Sequence, residues 1–277
     1  MTQAIPSAIK WPGGKFYLAK KLAAIAPPCK TRVETHAGSL AFTLACDPGG
    51  ISEVVNDVDG RLTNFWRVLQ NDIQFQKFRR TVEAIPFSEH EFHVFQRDLF
   101  RFANEVTWHE DKLVDSAVAF FVVCRQSVMG TMKGFATLTR ARTRRGMNEQ
   151  ASAWLTAVEG LQAVHNRLKR IAILNRDAVD VIEQQDTSDT LFYCDPPYPH
   201  ETRAVKKLYE HEMSYKDHVK LLDTLKNCKG KFMLSGYKNG LYDEQLQGLN
   251  RVDFKLPNNM SHGSNKRRMT ECVWCNF

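Results

Sequence analysis

The chain has no uninterrupted apolar run of roughly 18 or more residues, so a bilayer-spanning helix is not expected. Residues 1–15, MTQAIPSAIKWPGGK, lack the charged-then-apolar pattern of a secretion signal, and a cytoplasmic protein is expected. Cysteine is present in an odd number, seven, without the spacing of a disulfide framework, which fits a reduced set of thiols. Cys272 and Cys275 make one C-x-x-C inside an expected strand; with no second pair at zinc-finger spacing, no metal is expected. His90, His93 and His109 are too loosely spaced to suggest one either. Gly13-Gly14-Lys15 lacks the first glycine and the following Ser or Thr of a phosphate-binding loop, which sets ATP binding aside. Internal repeats and low-complexity tracts are also missing.

What is there is an ordinary globular composition. With 277 residues, 43% hydrophobic and 25% charged, the chain suits one large domain or a domain carrying an insertion. A net charge of +7 and a pI near 9.0 suit a polyanionic partner. Short apolar, β-branched-rich runs predict strands at Arg32–Thr35, Glu53–Asn56, Ile171–Asn175, Thr190–Cys194, Lys231–Ser235, Arg251–Leu256 and Glu271–Asn276. Several are continuous rather than alternating, as in strands covered on both faces. Helical patterns such as Arg61–Gln70 and Asp217–Cys228 separate most of them, which predicts a mainly parallel α/β sheet closed by an antiparallel hairpin. Residues 71–164 differ, with little strand signal and long helical periodicity at Leu113–Cys124 and Ala151–Leu168. The expected organisation is a catalytic domain of residues 1–70 and 165–277 with a helical insertion at 71–164. Phe92, Phe95, Phe100 and Phe102 are expected to pack its core.

The tetrapeptide Asp195-Pro196-Pro197-Tyr198 follows directly on the predicted strand Thr190–Cys194. Ligands of open α/β sheets bind beyond the carboxyl ends of strands, so it stands where chemistry is done. Its residue types suit an exocyclic amino nitrogen, a poor nucleophile because its lone pair is delocalised into the ring. The Asp195 carboxylate accepts from one N–H. Prolines cannot donate, and the pair leaves a backbone carbonyl to accept from the other. Two acceptors on one NH2 favour a pyramidal nitrogen that gains positive charge. Tyr198 offers a flat face for a flipped base.

Four further segments carry a resemblance. Ile9-Lys10-Trp11-Pro12-Gly13-Gly14-Lys15 resembles the K-W-x-G-G-K opening of the Dam-like (D12 class, α-group) DNA adenine N6-methyltransferases. Val33-Glu34-Thr35-His36-Ala37-Gly38-Ser39 is similar to their V-E-P-F-x-G-x-G cofactor loop, and Asn56-Asp57 to their N-D. The closing segment Arg267-Arg268-Met269-Thr270-Glu271-Cys272-Val273-Trp274 is similar to their last strand, and the order of segments matches over nearly the whole chain. The resemblance implies a Rossmann-like methyltransferase fold of about seven mixed strands with an inserted target-recognition domain, and S-adenosylmethionine as cofactor with S-adenosylhomocysteine as product. It implies that Trp11, Lys15, Glu34, Gly38, Asp57, Asp177 and Asp195 bind the cofactor, and that Asp195 to Tyr198 hold the target adenine. Two positions depart from the pattern: Thr35-His36 replaces Pro-Phe, and Leu40 replaces the second glycine. Leucine at that point suggests a backbone without positive φ. His36 is expected to pack or hydrogen-bond rather than transfer protons.

The basic stretch 125–150 is expected to be a loop that contacts DNA through Arg125, Gln126, Lys133, Arg140, Arg142, Arg144 and Arg145, since arginine serves both phosphates and guanine edges. Its sequence differs from the GATC-reading pattern. Expected partners are double-stranded DNA and a cognate restriction endonuclease, with the protein a monomer in the cytoplasm. Cytosine N4 or RNA adenine methylation, or DNA binding without catalysis, are the other readings.

Overall fold

Runs of β-branched and aromatic residues become buried strands, and turn residues at their carboxyl ends start the helices. The structure, a computed structural model, describes residues 5–103, 110–136, 142–202, 210–257 and 268–277. Its strands are β1 (Thr31–Glu34), β2 (Ser52–Asn56), β3 (Thr143–Arg144), β4 (Met147–Asn148), β5 (Ile171–Leu174), β6 (Thr190–Cys194), β7 (Lys231–Tyr237), β8 (Asn250–Pro257) and β9 (Arg268–Cys275). Its α-helices are α1 (Ala19–Ile25), α2 (Ala41–Ala45), α3 (Gly60–Gln70), α4 (Asp72–Ala84), α5 (Glu89–Ala103), α6 (Glu110–Gln126), α7 (Glu149–Glu159), α8 (Leu161–Leu168), α9 (Ala178–Gln185), α10 (Tyr215–Asn227) and α11 (Gly240–Gln245). No helix among the described residues is long and apolar enough to cross a membrane. All seven cysteines are described, as thiols.

The main sheet has seven strands in the order β5-β2-β1-β6-β7-β9-β8, the Rossmann-like α/β fold expected. β1 pairs in parallel with β2 and β6, and β6 with β7. β9 runs antiparallel to both β7 and β8, so the closing hairpin is present. Every residue of β6 is buried, which explains its continuous apolar sequence Thr-Leu-Phe-Tyr-Cys.

By contact density the chain divides into two compact units, at other boundaries than those expected from periodicity. The first comprises Met1–Ala24, Gly38–Asp47 and Asp59–Asn175; the second comprises Ile25–Ala37, Pro48–Val58 and Arg176–Phe277. The opening motif, α2 and α3 thus belong with the helical stretch.

In the first unit α6 is the axis. Ala117 to Cys124 are at most 1% exposed, because α3, α4 and α5 pack around this segment. Phe65 of α3 stacks on Phe121 at 5.9 Å, and Phe78 meets Phe121 edge-on at 5.6 Å. Phe92 and Phe102 join the core as expected, but Phe100 is 63% exposed, because successive positions on α5 face different sides. The expected helix Ala151–Leu168 breaks into α7 and α8 at Gly160, where a Cβ would come within 2.6 Å of Pro6.

In the second unit a buried ion pair joins β1 to β2. Arg32 donates to Glu53 at 2.9 Å, directly across the strand pair. From β1 the chain moves outward to β2 on one side, and later places β6 on the other. That reversal between β1 and β6 is a topological switch point, where open α/β sheets bind ligands beyond the carboxyl ends of their strands.

Candidate active site

At the switch point, β1 ends in the buried Glu34 and β6 runs straight into Asp195. Thr35 continues the pairing, its N–H donating to the Tyr193 carbonyl at 3.0 Å. The proline of the family pattern at this place could not donate that bond. The neighbouring strand end is fixed by Asn56, which is 1% exposed. Its Nδ2 donates to the carbonyls of Thr35 (3.0 Å) and Arg176 (3.1 Å), and its Oδ1 accepts from the Arg176 N–H at 3.0 Å. One side chain therefore ties the ends of β1 and β2 to the start of the α9 turn. Asp57 follows this anchor and is partly exposed. Asp177 caps α9, accepting from the Val179 N–H at 2.9 Å, and lies exposed one residue beyond Arg176.

His36 sits beside Thr35, with Nδ1 and the Thr35 hydroxyl 2.9 Å apart. Burial, reinforced by the charge of nearby His218 and opposed by Asp177, pushes its pKa down to about 4. The ring is therefore neutral at neutral pH and takes the hydrogen-bonding role expected of it.

Asp195 is half-buried, Pro196 is buried, Pro197 is half-buried and Tyr198 is 8% exposed. The Tyr198 hydroxyl reaches two carboxylates: Oδ1 of Asp195, at 3.2 Å, and Oε1 of Glu271 on β9. The ring of Tyr198 meets Tyr237 edge-on, with centroids 4.7 Å apart. Glu271 is 1% exposed and lies opposite Tyr237 in the β7–β9 pairing. Burial first, then the charges of Asp195 and Glu271, hold the Tyr198 phenol well above its ordinary pKa, so it keeps its proton. The sequence reading credited Tyr198 with a flat face; its hydroxyl is as much a part of the site. Glu271 was missed, although a lone carboxylate directly before the apolar run Cys-Val-Trp-Cys was its signal.

The first unit holds the opening motif. Gly38 has φ +46°, and a Cβ there would lie 2.8 Å from the Trp11 ring. Its carbonyl accepts from the Trp66 indole at 3.2 Å, which fixes the peptide between two tryptophans. Gly14 is similarly close: a Cβ would stand 3.0 Å from the Trp11 carbonyl and 3.2 Å from the Ser39 hydroxyl. Lys15 is 4% exposed and donates to the Gly13 carbonyl at 2.9 Å. Leu40 corrects an expectation. It has φ 57° and ψ 28°, the left-handed conformation, directly before α2, and its side chain is fully buried. Packing of the leucine offsets the roughly 1–2 kcal/mol that this conformation costs a residue with a Cβ.

Compared with known protein families, residues 11–260 match the D12 class N6 adenine-specific DNA methyltransferases. The chain belongs to that family. Among solved structures, this D12-class methyltransferase is similar to the rRNA methyltransferase aviRa from Streptomyces viridochromogenes, at 14% identity, over 99% of this chain and 89% of that one, with a TM-score of 0.39. So loose a likeness adds nothing to the assignment. No curated protein matches the chain.

The basic residues of this D12-class chain fall into separate groups. Gln126, at the end of α6, is fully buried, donating to the Pro86 carbonyl at 2.9 Å and accepting from the Ser88 N–H at 3.2 Å. Arg125 is half-buried and donates to the Ala153 carbonyl at 2.8 Å. Both serve the interior, because they close the last turn of a buried helix rather than a loop. Lys133 is exposed in the turn that follows. Arg142, Arg144 and Arg145 are exposed on or beside the β3–β4 hairpin, a structured element within the expected loop. Its two turn residues, Arg145 and Gly146, have φ 56° and 73°, as a tight two-residue hairpin connection requires. Arg145 folds back on α7 to form a two-pronged pair with Glu159 at 3.0 and 2.9 Å. Arg140 lies outside the described residues.

Proposed function

We propose that this D12-class methyltransferase transfers a methyl group from S-adenosylmethionine to the N6 amino group of an adenine flipped out of double-stranded DNA. The observation that carries this reading is the Asp195–Tyr198 tetrapeptide at the switch point, with the Tyr198 hydroxyl braced on Asp195.

The donor set suits the cofactor. Carboxylates at the ends of parallel strands are the usual acceptors for ribose hydroxyls, and Asp57 follows the fixed Asn56 in that place. Glu34 and Asp177, also on the second unit, are assigned to the cofactor with it. Trp11, Lys15 and Gly38, on the first unit, keep the cofactor role that the family resemblance implies. When bound, S-adenosylmethionine supplies an electrophilic methyl group on a sulfonium.

The rest is done by residues of the chain. Asp195 accepts a hydrogen bond from one N6–H, and the Pro196 carbonyl accepts from the other. Together they turn the nitrogen lone pair out of conjugation and stabilise the charge that grows on it. The ring of Tyr198 is assigned to stacking on the extruded base. Arg142 and Arg144, exposed on the β3–β4 hairpin, are assigned to DNA, with Lys133 as a phosphate contact.

Incubation with tritiated S-adenosylmethionine and unmethylated genomic DNA, followed by nucleoside mass spectrometry, tests the reading. N6-methyladenine is the expected product. N4-methylcytosine, or incorporation into RNA alone, would overturn it.

A further inference from the structure

One hydroxyl proton faces two carboxylates. The Tyr198 oxygen lies 3.2 Å from Asp195 Oδ1 and also touches Glu271 Oε1. A hydroxyl has a single proton and can donate it fully to only one acceptor. Charge-assisted O–H···O⁻ bonds are close, about 2.5–2.7 Å, and the Asp195 contact is longer than that.

We propose that Glu271 is a positioning residue for methyl transfer: it accepts the stronger share of the hydrogen bond that the Tyr198 hydroxyl donates, so that the weaker branch to Asp195 braces that carboxylate while using up little of its acceptor strength. The inference rests on the adenine-N6 reading above. Glu271 is suited to the part because it is rigid. It is 1% exposed, sits on β9 between its two antiparallel partners β7 and β8, and lies opposite Tyr237, whose ring packs edge-on against Tyr198. The phenol stays protonated because burial and the two carboxylates all disfavour its anion. Without Glu271 the proton turns to Asp195 and competes directly with the adenine amino group. The reacting nitrogen then meets a weaker acceptor.

The test is single-turnover methylation of unmethylated genomic DNA by the full chain, with cofactor affinity measured alongside by calorimetry. Glu271→Leu, which keeps volume but removes the acceptor, lowers the transfer rate about 10- to 100-fold, with cofactor affinity unchanged within about twofold. Glu271→Gln, whose amide oxygen still accepts, keeps the rate within a fewfold of wild type. Tyr198→Phe in the Glu271→Leu background adds no further loss, since the misdirected proton is gone. An undiminished rate in Glu271→Leu overturns the proposal. So does a Gln variant as slow as the Leu variant, or losses that multiply in the double variant, either of which would mark a packing role alone. Should Glu271→Leu not fold, Glu271→Gln and Glu271→Ala provide the comparison: a Gln variant as slow as the Ala variant, or an Ala variant at the wild-type rate, overturns the proposal, and a rate kept in Gln but lost in Ala supports it. Wild-type protein without N6-methyladenine product would instead defeat the functional reading itself.

Discussion

The Tyr198 hydroxyl stands 3.2 Å from Oδ1 of Asp195, so the last residue of the tetrapeptide holds the first. On the proposed reading the carboxylate is set before the base arrives, which is the preorganisation that electrostatic catalysis requires. On the proposed mechanism, Asp195→Ala removes one of the two acceptors for the amino group. Transfer is expected to fall at least about 100- to 1,000-fold, while calorimetric cofactor affinity stays largely intact. Turnover near the wild-type level would rule out the mechanism.

Gly38 is the one position in the cofactor loop where a methyl group has nowhere to go. Gly38→Ala combines a φ of +46° with a Cβ 2.8 Å from the Trp11 ring. Strain of about 1–2 kcal/mol plus the displaced indole should lower the melting temperature and weaken cofactor binding together. A thermal melt and a cofactor titration on the same variant check both.

Arg144 is exposed on the β3–β4 hairpin, whereas Arg145 at the turn is tied to Glu159. Arg144→Ala should weaken DNA binding without changing the melting temperature. If the contact is to phosphate, the slope of log K against log salt drops by about 0.9. An unchanged affinity at several salt concentrations would remove Arg144 from the interface.

Breaking the Arg32–Glu53 pair leaves a charge buried between two central strands. Arg32→Met is expected to cost about 3–5 kcal/mol of stability. Replacing both partners by apolar residues should restore much of it, because the stranded charge is then gone. Urea unfolding of the single and double variants separates the two outcomes.

His36 predicts an acid limb. Its folded pKa is pushed down to about 4 from 6.5, first by burial and then by His218. Between those values the unfolded chain binds a proton that the folded chain refuses, so stability rises with pH. The contribution is fully present above about pH 6.5 and lost as pH falls toward 4. His36→Phe, the residue of the family pattern, should flatten the melting temperature across that window. An equally steep fall in the variant would assign the acid sensitivity to other groups.

The sheet was readable because several of its strands are continuous apolar runs; β6 was placed to the residue, and the closing hairpin was recognised from the lack of a helix pattern before β9. The placement of Asp195 to Tyr198 directly after β6 was readable because it is local in sequence. What could not be read depends on contacts across the chain. Glu271 meets Tyr198 from 73 residues away, and no spacing rule joins them. The break at Gly160 is set by close packing against Pro6, which helical periodicity does not register. Leu40 was read by residue type alone, whereas burial of its side chain against the core decides its backbone. The β3–β4 hairpin has arms of two residues each, too short for alternation to show.

Asn56 engages only main-chain atoms: the carbonyls of Thr35 and Arg176 and the N–H of Arg176. Every residue type has that carbonyl, so the side chains at 35, 36 and 176 are released from the task of aligning the strand ends. Those three bonds therefore tolerate Thr35-His36 where the family pattern has Pro-Phe, although the Thr35 N–H bond to Tyr193 is one that proline could not make. For an engineer, the same independence marks positions 35 and 36 as places to vary, and Asn56 as the residue to leave alone.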